Sequence, residues 1–408
     1  MANHNLTNAK KIKNDEFYTQ YSDIQKEIEA YLEYNSNAFR SKVVYCNCDD
    51  PFESNFFRYF VLNFKKLGLK QLITTSYKPS PIANTELVLQ PSLLPDYEDK
   101  VVSKPAEPKG RPKVTANKFI INEVHDVDGD GEFNLKDIAE QLKANKHNEW
   151  APLEGDGDFR SDESINLLKQ SDIVVTNPPF SLFREYIKQL VEYNKKFLII
   201  GTLNAITYKE VFPLLKENKV WLGNNYKVNG GAMFYEIPEN IANLDQVREI
   251  KTKEDGKKVY ITRVQGVRWF TNLDHGRLHE KLPLMTEADV IKFSTKKPFD
   301  KYDNYDAIEV SLVKNIPSDY EGMMGVPISI MDKYSPEQFR ILGTSDNGLV
   351  DDKFKKTPGL TKEFVDDYYK TGGTGAYKEG NPTAGYYENN VAKMVYKRIF
   401  IKHKEKTK

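Results

Sequence analysis

Short apolar runs separated by amphipathic segments predict alternating strands and helices along the first two-thirds of the chain. Residues 42–48, 71–77, 119–124 and 172–180 form apolar or β-branched runs that are typical of buried strands. Between the first two runs, residues 56–69 carry apolar residues at helical spacing and include Gly68 near the end. Because strands that alternate with helices favour a parallel sheet, this pattern predicts an α/β fold.

The remaining pattern divides the chain into further regions. Residues of about 78–118 are rich in Pro, Ser and Lys, which predicts an irregular insertion. The runs at 232–238 and 257–270 predict more strands, which we expect to complete the same sheet. After about residue 275 the periodicity breaks, and Tyr, Asp, Pro and Gly become frequent. We therefore expect one domain over residues 1–275 and a smaller, loop-rich domain over residues 276–408.

Composition excludes several classes of protein. The chain of 408 residues has 59 Lys and Arg against 59 Asp and Glu, so its formal net charge is zero. Binding to nucleic acid must then rest on local patches, such as the basic stretch 104–118. Only Cys46 and Cys48 are present, which excludes a disulfide scaffold and a four-cysteine zinc site. No apolar run reaches the roughly 18 residues of a membrane span, and the N-terminal residues lack a signal-peptide centre. We expect a cytoplasmic protein with no membrane partner.

The strongest chemical signal is the sequence Asn177-Pro178-Pro179-Phe180, which directly follows an apolar strand. Ligands of open α/β sheets bind beyond the carboxyl ends of the strands, and two proline rings make a stiff turn there. The Asn177 amide oxygen and a main-chain carbonyl can accept both hydrogens of an amino group on a planar ring. The Phe180 ring can stack on that ring. Such a site can position a weakly nucleophilic amine for in-line methyl transfer.

The chain resembles a known family at this motif and at several others. In order, the blocks NDEFYTQ, VVYCNCDDPFESNFFRYF, GDGDFRSDE, DIVVTNPPFSLFREY, GVRWFTNLDH and IPSDYEGMMGVPISIMDKY are similar to the EcoRI-methylase type of adenine-specific DNA methyltransferase. The resemblance implies a Rossmann-like methyltransferase sheet with helices on both faces, followed by a DNA target-recognition domain. It also implies methyl transfer from S-adenosylmethionine to the N6 atom of a flipped-out adenine.

The same resemblance assigns the cofactor-binding residues to three short segments. These segments are Phe17-Tyr18-Thr19, Asp49-Asp50-Pro51 and Asp158-Phe159. The first two would hold the methionine end of S-adenosylmethionine, and the third would bind its adenine. The loop after the first strand lacks the usual Gly-rich turn, and its two aspartates could instead cap the helix that follows. The first segment could merely pack on the sheet, and the third could be a polar loop with one buried aromatic residue.

Two parts of the methyltransferase site remain open at the level of sequence. In the enzymes that the chain resembles, an acidic residue at the end of the second strand often binds the ribose hydroxyls of the cofactor. This sequence has none there, and Thr75, Ser76 or Tyr77 could take its place. The second aromatic wall of the flipped base has four candidates, although aromatic residues on strands are more often part of the core. These candidates are Phe234, Tyr235, Trp269 and Phe270.

A separate signal lies in residues 126–137, which read DVDGDGEFNLKD. The carboxylates at loop positions one, three, five and twelve, with Gly131 at position six, resemble a calcium loop. The predicted ligands of a structural Ca²⁺ are Asp126, Asp128, Asp130 and Asp137. The alternative is a turn that caps the following helix.

The resemblance implies double-stranded DNA as the partner and a monomeric enzyme. A cognate restriction endonuclease is a candidate partner, and an orphan epigenetic or phage-protective role is equally compatible with the sequence. Two other functions remain open. One is methylation of another planar amino group, either RNA adenine or a protein glutamine amide. The other is a non-catalytic DNA-binding protein on the same fold.

Overall fold

A computed structural model describes most residues of the chain. They are residues 18–48, 54–76, 85–90, 100–105, 116–127, 129, 133–144, 147–224, 232–237, 247–252, 258–295, 298–346, 348–349 and 359–404.

Helices and strands alternate in the first half of the chain, and strands predominate in the second half. The helices are α1 (Tyr21–Tyr34), α2 (Asn55–Leu62), α3 (Phe64–Leu67), α4 (Leu135–Ala144), α5 (Asp162–Gln170), α6 (Phe183–Glu192), α7 (Phe212–Lys216), α8 (Glu287–Phe293) and α9 (Lys362–Lys370). The strands are β1 (Tyr18–Thr19), β2 (Val43–Cys46), β3 (Gln71–Thr75), β4 (Thr85–Gln90), β5 (Lys100–Pro105), β6 (Asn117–Ile121), β7 (Glu149–Pro152), β8 (Ile173–Thr176), β9 (Lys196–Thr202), β10 (Trp221–Leu222), β11 (Ala232–Ile237), β12 (Val247–Thr252), β13 (Lys258–Gln265), β14 (Val267–Thr271), β15 (Phe299–Lys301), β16 (Ala307–Val310), β17 (Met323–Pro327), β18 (Phe339–Thr344), β19 (Gly348–Leu349), β20 (Gly385–Glu388), β21 (Val391–Met394) and β22 (Arg398–His403). In the part of the chain that the structure describes, no helix combines the length and the apolar character needed to cross a bilayer.

The chain forms two compact units. The first unit comprises residues 1–202 and 223–275, and the second comprises residues 203–222 and 276–408. The first domain predicted from the sequence, residues 1–275, includes residues 203–222. This short segment contains α7 and β10 and belongs to the second unit instead.

A mixed sheet forms the centre of the first unit. Seven strands of this unit follow the order β14-β9-β8-β2-β3-β6-β7. The four strands β9, β8, β2 and β3 are parallel to their neighbours within this group, whereas β14, β6 and β7 pair antiparallel at the two sides. The strands β2 and β8 are buried along their whole length, as their continuous apolar runs predict. The mixed α/β arrangement agrees with a methyltransferase fold.

The prediction that the later strands all complete this sheet is wrong. Of the run 257–270, β14 joins the mixed sheet, but β13 lies in a separate antiparallel sheet of order β1-β11-β13-β12. Gly266 stands between the two strands with φ of 73°. This left-handed conformation is unfavourable for other residues, and it divides one apolar run between two sheets.

The insertion between β3 and β6 also differs from the prediction of irregular structure. It contains an antiparallel hairpin in which β4 pairs with β5 over the register Thr85↔Pro105 to Gln90↔Lys100. The Pro, Ser and Lys content of this region predicted irregular structure, although the region contains two strands of six residues each.

Aromatic side chains fill the core of the first unit. Helix α1 buries Ile24, Ile28 and Tyr31, which recur at intervals of three to four residues and therefore share one face. Trp269 of β14 is buried and lies edge-on to Phe56 of α2, with ring centroids 6.0 Å apart. This packing fixes α2 against the sheet.

The second unit contains more regular structure than the prediction of a loop-rich domain implied. Six of its strands form a sheet of order β15-β16-β17-β22-β18-β19. A buried ion pair lies within it: Arg398 donates to both carboxylate oxygens of Glu309, at 2.6 and 2.9 Å. Tyr302 also donates its hydroxyl hydrogen to Glu309. A carboxylate this deeply buried requires such partners, because desolvation otherwise disfavours its charge.

Candidate active site

The connections of the parallel strands define a topological switch point between β2 and β8, the place where open α/β sheets have their crevice. From β2 the chain passes to β3 on one side, whereas β8 lies on the other side of β2 and leads to β9. Ligands of open α/β sheets bind at such a switch point, beyond the carboxyl ends of the two strands. Asn47 directly follows the carboxyl end of β2, and Asn177 directly follows the carboxyl end of β8.

The Asn-Pro-Pro-Phe motif occupies the carboxyl end of β8. Asn177 is only 2% exposed, and Pro178 is also buried. Pro179 is extended, with φ of −54° and ψ of 122°, and Phe180 then begins a short 3-10 turn that leads into α6. The Leu182 N–H donates to the Pro179 carbonyl at 3.0 Å and closes this turn. The turn therefore holds the Asn177 amide at a fixed position beside this switch point.

Asn47 connects the two strand ends, and its role was missed in the sequence. The Thr176 hydroxyl donates to the Asn47 carbonyl oxygen, and the Tyr186 hydroxyl donates to Asn47 Oδ1. All three residues are buried, and burial raises the pKa of Tyr186 well above its ordinary value. The available signal was a polar residue placed directly after an apolar strand.

The Asp158-Phe159 segment lies beside the end of β3. Gly157 has φ of 77°, and a Cβ at this position would stand 2.0 Å from the Ser76 carbonyl oxygen. Phe159 is buried, and its ring meets the Tyr186 ring edge-on at a centroid distance of 5.0 Å. Since Tyr186 also binds Asn47, contacts run without a break from the Asp158 loop to the end of β2.

Arg160 determines the electrostatics of Asp158. It donates from Nε to Asp158 Oδ1 at 2.9 Å and from Nη2 to Oδ2 at 2.7 Å, and these hydrogen bonds lower the pKa of the carboxyl group. Arg160 also reaches Glu185 at 3.0 Å and lies 5.3 Å from the centre of the Phe159 ring. Asp158 therefore stays ionised, and its oxygens keep further capacity to accept a hydrogen bond.

Thr19 is the described member of the first predicted cofactor segment. It belongs to β1, and its carbonyl oxygen accepts from Asn55 Nδ2 at 2.8 Å, which places it at the start of α2. Its hydroxyl oxygen is buried and has no hydrogen-bond partner among the described residues. A buried hydroxyl without a partner is costly, so its position fits a polar ligand group. Phe17, the Tyr18 side chain and Asp49-Asp50-Pro51 lie outside the described residues.

Several open candidates now have defined surroundings. Thr75 Oγ1 lies 3.0 Å from the Tyr45 hydroxyl, and Ser76 Oγ accepts from the Asn117 N–H at 2.8 Å. Both hydroxyls thus already have protein partners, which weakens them as ribose ligands. Trp269 and Phe270 are core residues with 2% and 0% exposure. The side chains of Phe234, Tyr235 and Tyr77, and residues 106–115 of the basic stretch, lie outside the described residues.

The predicted calcium site receives no support. In the described part of residues 126–137, Asp137 accepts from the Val127 and Asn134 N–H groups at 2.7 and 2.8 Å. Asp126 accepts from the Gly129 N–H at 2.7 Å, whereas Asp128 and Asp130 are not described. No group of three or more His, Cys, Asp or Glu suited to a metal occurs among the described residues. The two hydrogen bonds to Asp137 agree with the alternative interpretation of the pattern, a turn that caps the following helix.

Comparison with known proteins defines the class of this enzyme. Residues 5–404 match the family described as adenine-specific methyltransferase EcoRI, so the chain belongs to that family. It is an adenine-specific DNA methyltransferase of the kind found in restriction–modification, and the predicted resemblance is confirmed. The methyltransferase family implies S-adenosylmethionine as the methyl donor.

Three curated relatives are similar to most of the chain. Type II methyltransferase M.EcoRI of Escherichia coli is 43% identical over 337 residues, which cover 83% of this chain and 88% of that protein. M.MpnI of Mycoplasma pneumoniae is 35% identical, with coverage of 83% and 85%. M.MgeORF184P of Mycoplasma genitalium is 33% identical, with coverage of 92% and 96%. No solved structure matched the chain.

Proposed function

We propose that the protein is a site-specific DNA methyltransferase that transfers the methyl group of S-adenosylmethionine to N6 of a flipped-out adenine. One observation carries this proposal. The stiff, buried Asn-Pro-Pro-Phe turn stands at the carboxyl end of β8, beside the end of β2, at the switch point of the sheet.

On the acceptor side, the turn supplies the groups that an adenine amino group needs. The Asn177 amide oxygen and the neighbouring main-chain carbonyl would accept its two hydrogens. This draws the nitrogen toward a tetrahedral geometry with a usable lone pair, and Phe180 supplies one wall for the ring. A base inside a duplex cannot reach a buried turn, so the target adenine must leave the stack.

On the cofactor side, the described residues fit S-adenosylmethionine. Thr19 offers a buried hydroxyl that has no hydrogen-bond partner among the described residues, Asp158 offers an ionised carboxylate, and Phe159 offers an apolar ring. We propose that these three, with segments 17–18 and 49–51, bind the cofactor. When bound, S-adenosylmethionine supplies a sulfonium methyl group that an amine can attack in line.

The two units divide the task in this proposal. The first unit, residues 1–202 and 223–275, forms the Rossmann-like catalytic domain, and the second unit, residues 203–222 and 276–408, recognises the target sequence on double-stranded DNA. The enzyme acts as a monomer, and a cognate restriction endonuclease is its proposed partner in the cell.

Incubation with tritiated S-adenosylmethionine tests the acceptor directly. We would offer mixed-sequence duplex DNA, total RNA and a protein extract in parallel, with Asn177→Ala as the control. The proposal requires tritium in DNA, and its loss in the variant while cofactor binding persists. Tritium in RNA or in protein alone would assign another planar amino group, and cofactor binding without transfer to any of them would contradict the catalytic role.

A further inference from the structure

The backbone pairing of β2 with β8 stops before the strand ends where the proposed reaction takes place. Their parallel register includes Val44↔Ile173 and Tyr45↔Val174. Beyond these pairs, hydrogen bonds from side chains connect the two strand ends, because the hydroxyl groups of Thr176 and Tyr186 both donate to Asn47. Asn47 is 4% exposed, so these bonds form away from water, where they are stronger and more costly to lose.

The two partners of Asn47 come from the acceptor side of the site. Thr176 directly precedes Asn177, and Tyr186 lies on α6, the helix that follows the Asn-Pro-Pro-Phe turn. Asn47 itself precedes Cys48, which has φ of 70°, and then the acidic segment 49–50. A single asparagine therefore links both flanks of the acceptor motif to the strand that leads into the proposed cofactor loop.

Tyr186 also supports the other cofactor segment. Its ring packs edge-on against Phe159, and Gln189, three residues later on the same helix, donates to the Phe159 carbonyl at 3.1 Å. Because Tyr186 is fully buried, its hydroxyl remains protonated and acts as a steady hydrogen-bond donor. Its ring thus contacts the proposed cofactor residue Phe159, and its hydroxyl contacts Asn47, at the end of the strand that leads toward residues 49–51.

We propose that Tyr186 and Asn47 are a positioning pair that sets the distance between the bound cofactor and the acceptor turn, without contacting either reactant. This inference rests on the function proposed above. In-line transfer requires reacting atoms about 3–3.5 Å apart, and a misplacement of about 1 Å can cost about 100-fold in rate. A hydrogen bond at the junction of both half-sites controls that spacing.

The Tyr186→Phe variant isolates the hydroxyl, because the ring that packs against Phe159 remains. Two quantities are measured: the stoichiometry of S-adenosylmethionine binding by calorimetry, and the single-turnover rate constant of methyl transfer to DNA with cofactor saturating. We expect full stoichiometry and a rate constant at least about 10-fold lower per bound cofactor. The double variant Tyr186→Phe with Asn47→Ala should have the same rate constant as Asn47→Ala alone, because both substitutions remove the same hydrogen bond.

A matched control separates positioning from stability. In the second unit, the Tyr334 side chain is buried and its hydroxyl lies 3.1 Å from Asn218 Oδ1 and 3.2 Å from the Phe339 carbonyl oxygen. Tyr334→Phe therefore removes the hydrogen bonding of a tyrosine hydroxyl that has no part in the proposed site. This control should lower the melting temperature and leave the rate constant per bound cofactor within about two-fold of the wild-type value. The positioning role is overturned if Tyr186→Phe behaves in the same way. A wild-type enzyme that transfers no methyl group to DNA would overturn the proposed function, and this inference with it.

Discussion

Replacing Gly157 by alanine tests whether the loop before Asp158 shapes the cofactor site. Gly157 has φ of 77°, and an added Cβ would lie 2.0 Å from the Ser76 carbonyl oxygen and 3.2 Å from the Ala116 Cβ atom. The first contact involves main chain at the end of β3, so no side-chain rotation can relieve it. The loop itself must move.

Two contributions set the expected size of the effect. A left-handed conformation costs a residue other than glycine about 1–2 kcal/mol. Separations below 3.0 Å essentially do not occur for a Cβ atom, so the loop must shift by about 1 Å away from Ser76. Asp158 and Phe159 follow directly and shift with it. We therefore expect the affinity for S-adenosylmethionine to fall at least about 10-fold, which corresponds to about 1.4 kcal/mol.

The same loop provides a matched control. Gly155 lies two residues earlier, and a Cβ there would meet no atom within 4 Å. Isothermal titration with S-adenosylmethionine should show Gly155→Ala within about two-fold of the wild-type affinity and Gly157→Ala far weaker. If Gly157→Ala bound the cofactor as tightly as the wild type, the Asp158 loop would not belong to the cofactor site.

Three further predictions concern stability. Glu309→Gln should lower the free energy of unfolding by about 3 kcal/mol, because it leaves the buried Arg398 guanidinium without its countercharge; a loss below about 1 kcal/mol in urea titration would contradict this. Ser54→Ala should cost about 1 kcal/mol, since the Ser54 hydroxyl accepts from the Phe56 N–H and caps α2; an unchanged urea midpoint would argue against the cap. Arg160 lowers the pKa of Asp158, so the ionised Asp158 stabilises the folded protein at neutral pH. This contribution to the free energy of unfolding is lost as the pH falls below about 4 and Asp158 becomes protonated. Asp158→Asn should then be less stable than the wild type at pH 7, by less than about 1 kcal/mol, and should lose this difference in acid.

The sequence sufficed to predict the parts of the fold that local pattern determines. The run DIVVT and the prolines after it predicted a buried strand and a stiff turn, and the structure contains β8 with Asn177 at its end. The helical spacing of apolar residues in 56–69 likewise predicted the helical segment that contains α2 and α3. In these segments hydrophobic period and proline geometry point to the same structure.

Features that depend on distant residues were not predictable from one sequence. The apolar run 257–270 gives no sign that Gly266 divides it between two sheets. The Asn47–Tyr186 hydrogen bond joins residues 139 positions apart, and neither side chain is unusual in its own segment. Tertiary contacts decide such cases, and local patterns do not.

The central claim is that the turn at the end of β8 directs a methyl group to N6 of adenine in DNA. The most direct test uses S-adenosylmethionine with a deuterated methyl group, plasmid DNA, and mass spectrometry of the nucleosides after digestion. We expect the wild type to form deoxyadenosine that carries a trideuteromethyl group at N6, and we expect this product to be absent with Asn177→Ala. Label on cytosine, or unchanged labelling by the variant, would contradict it.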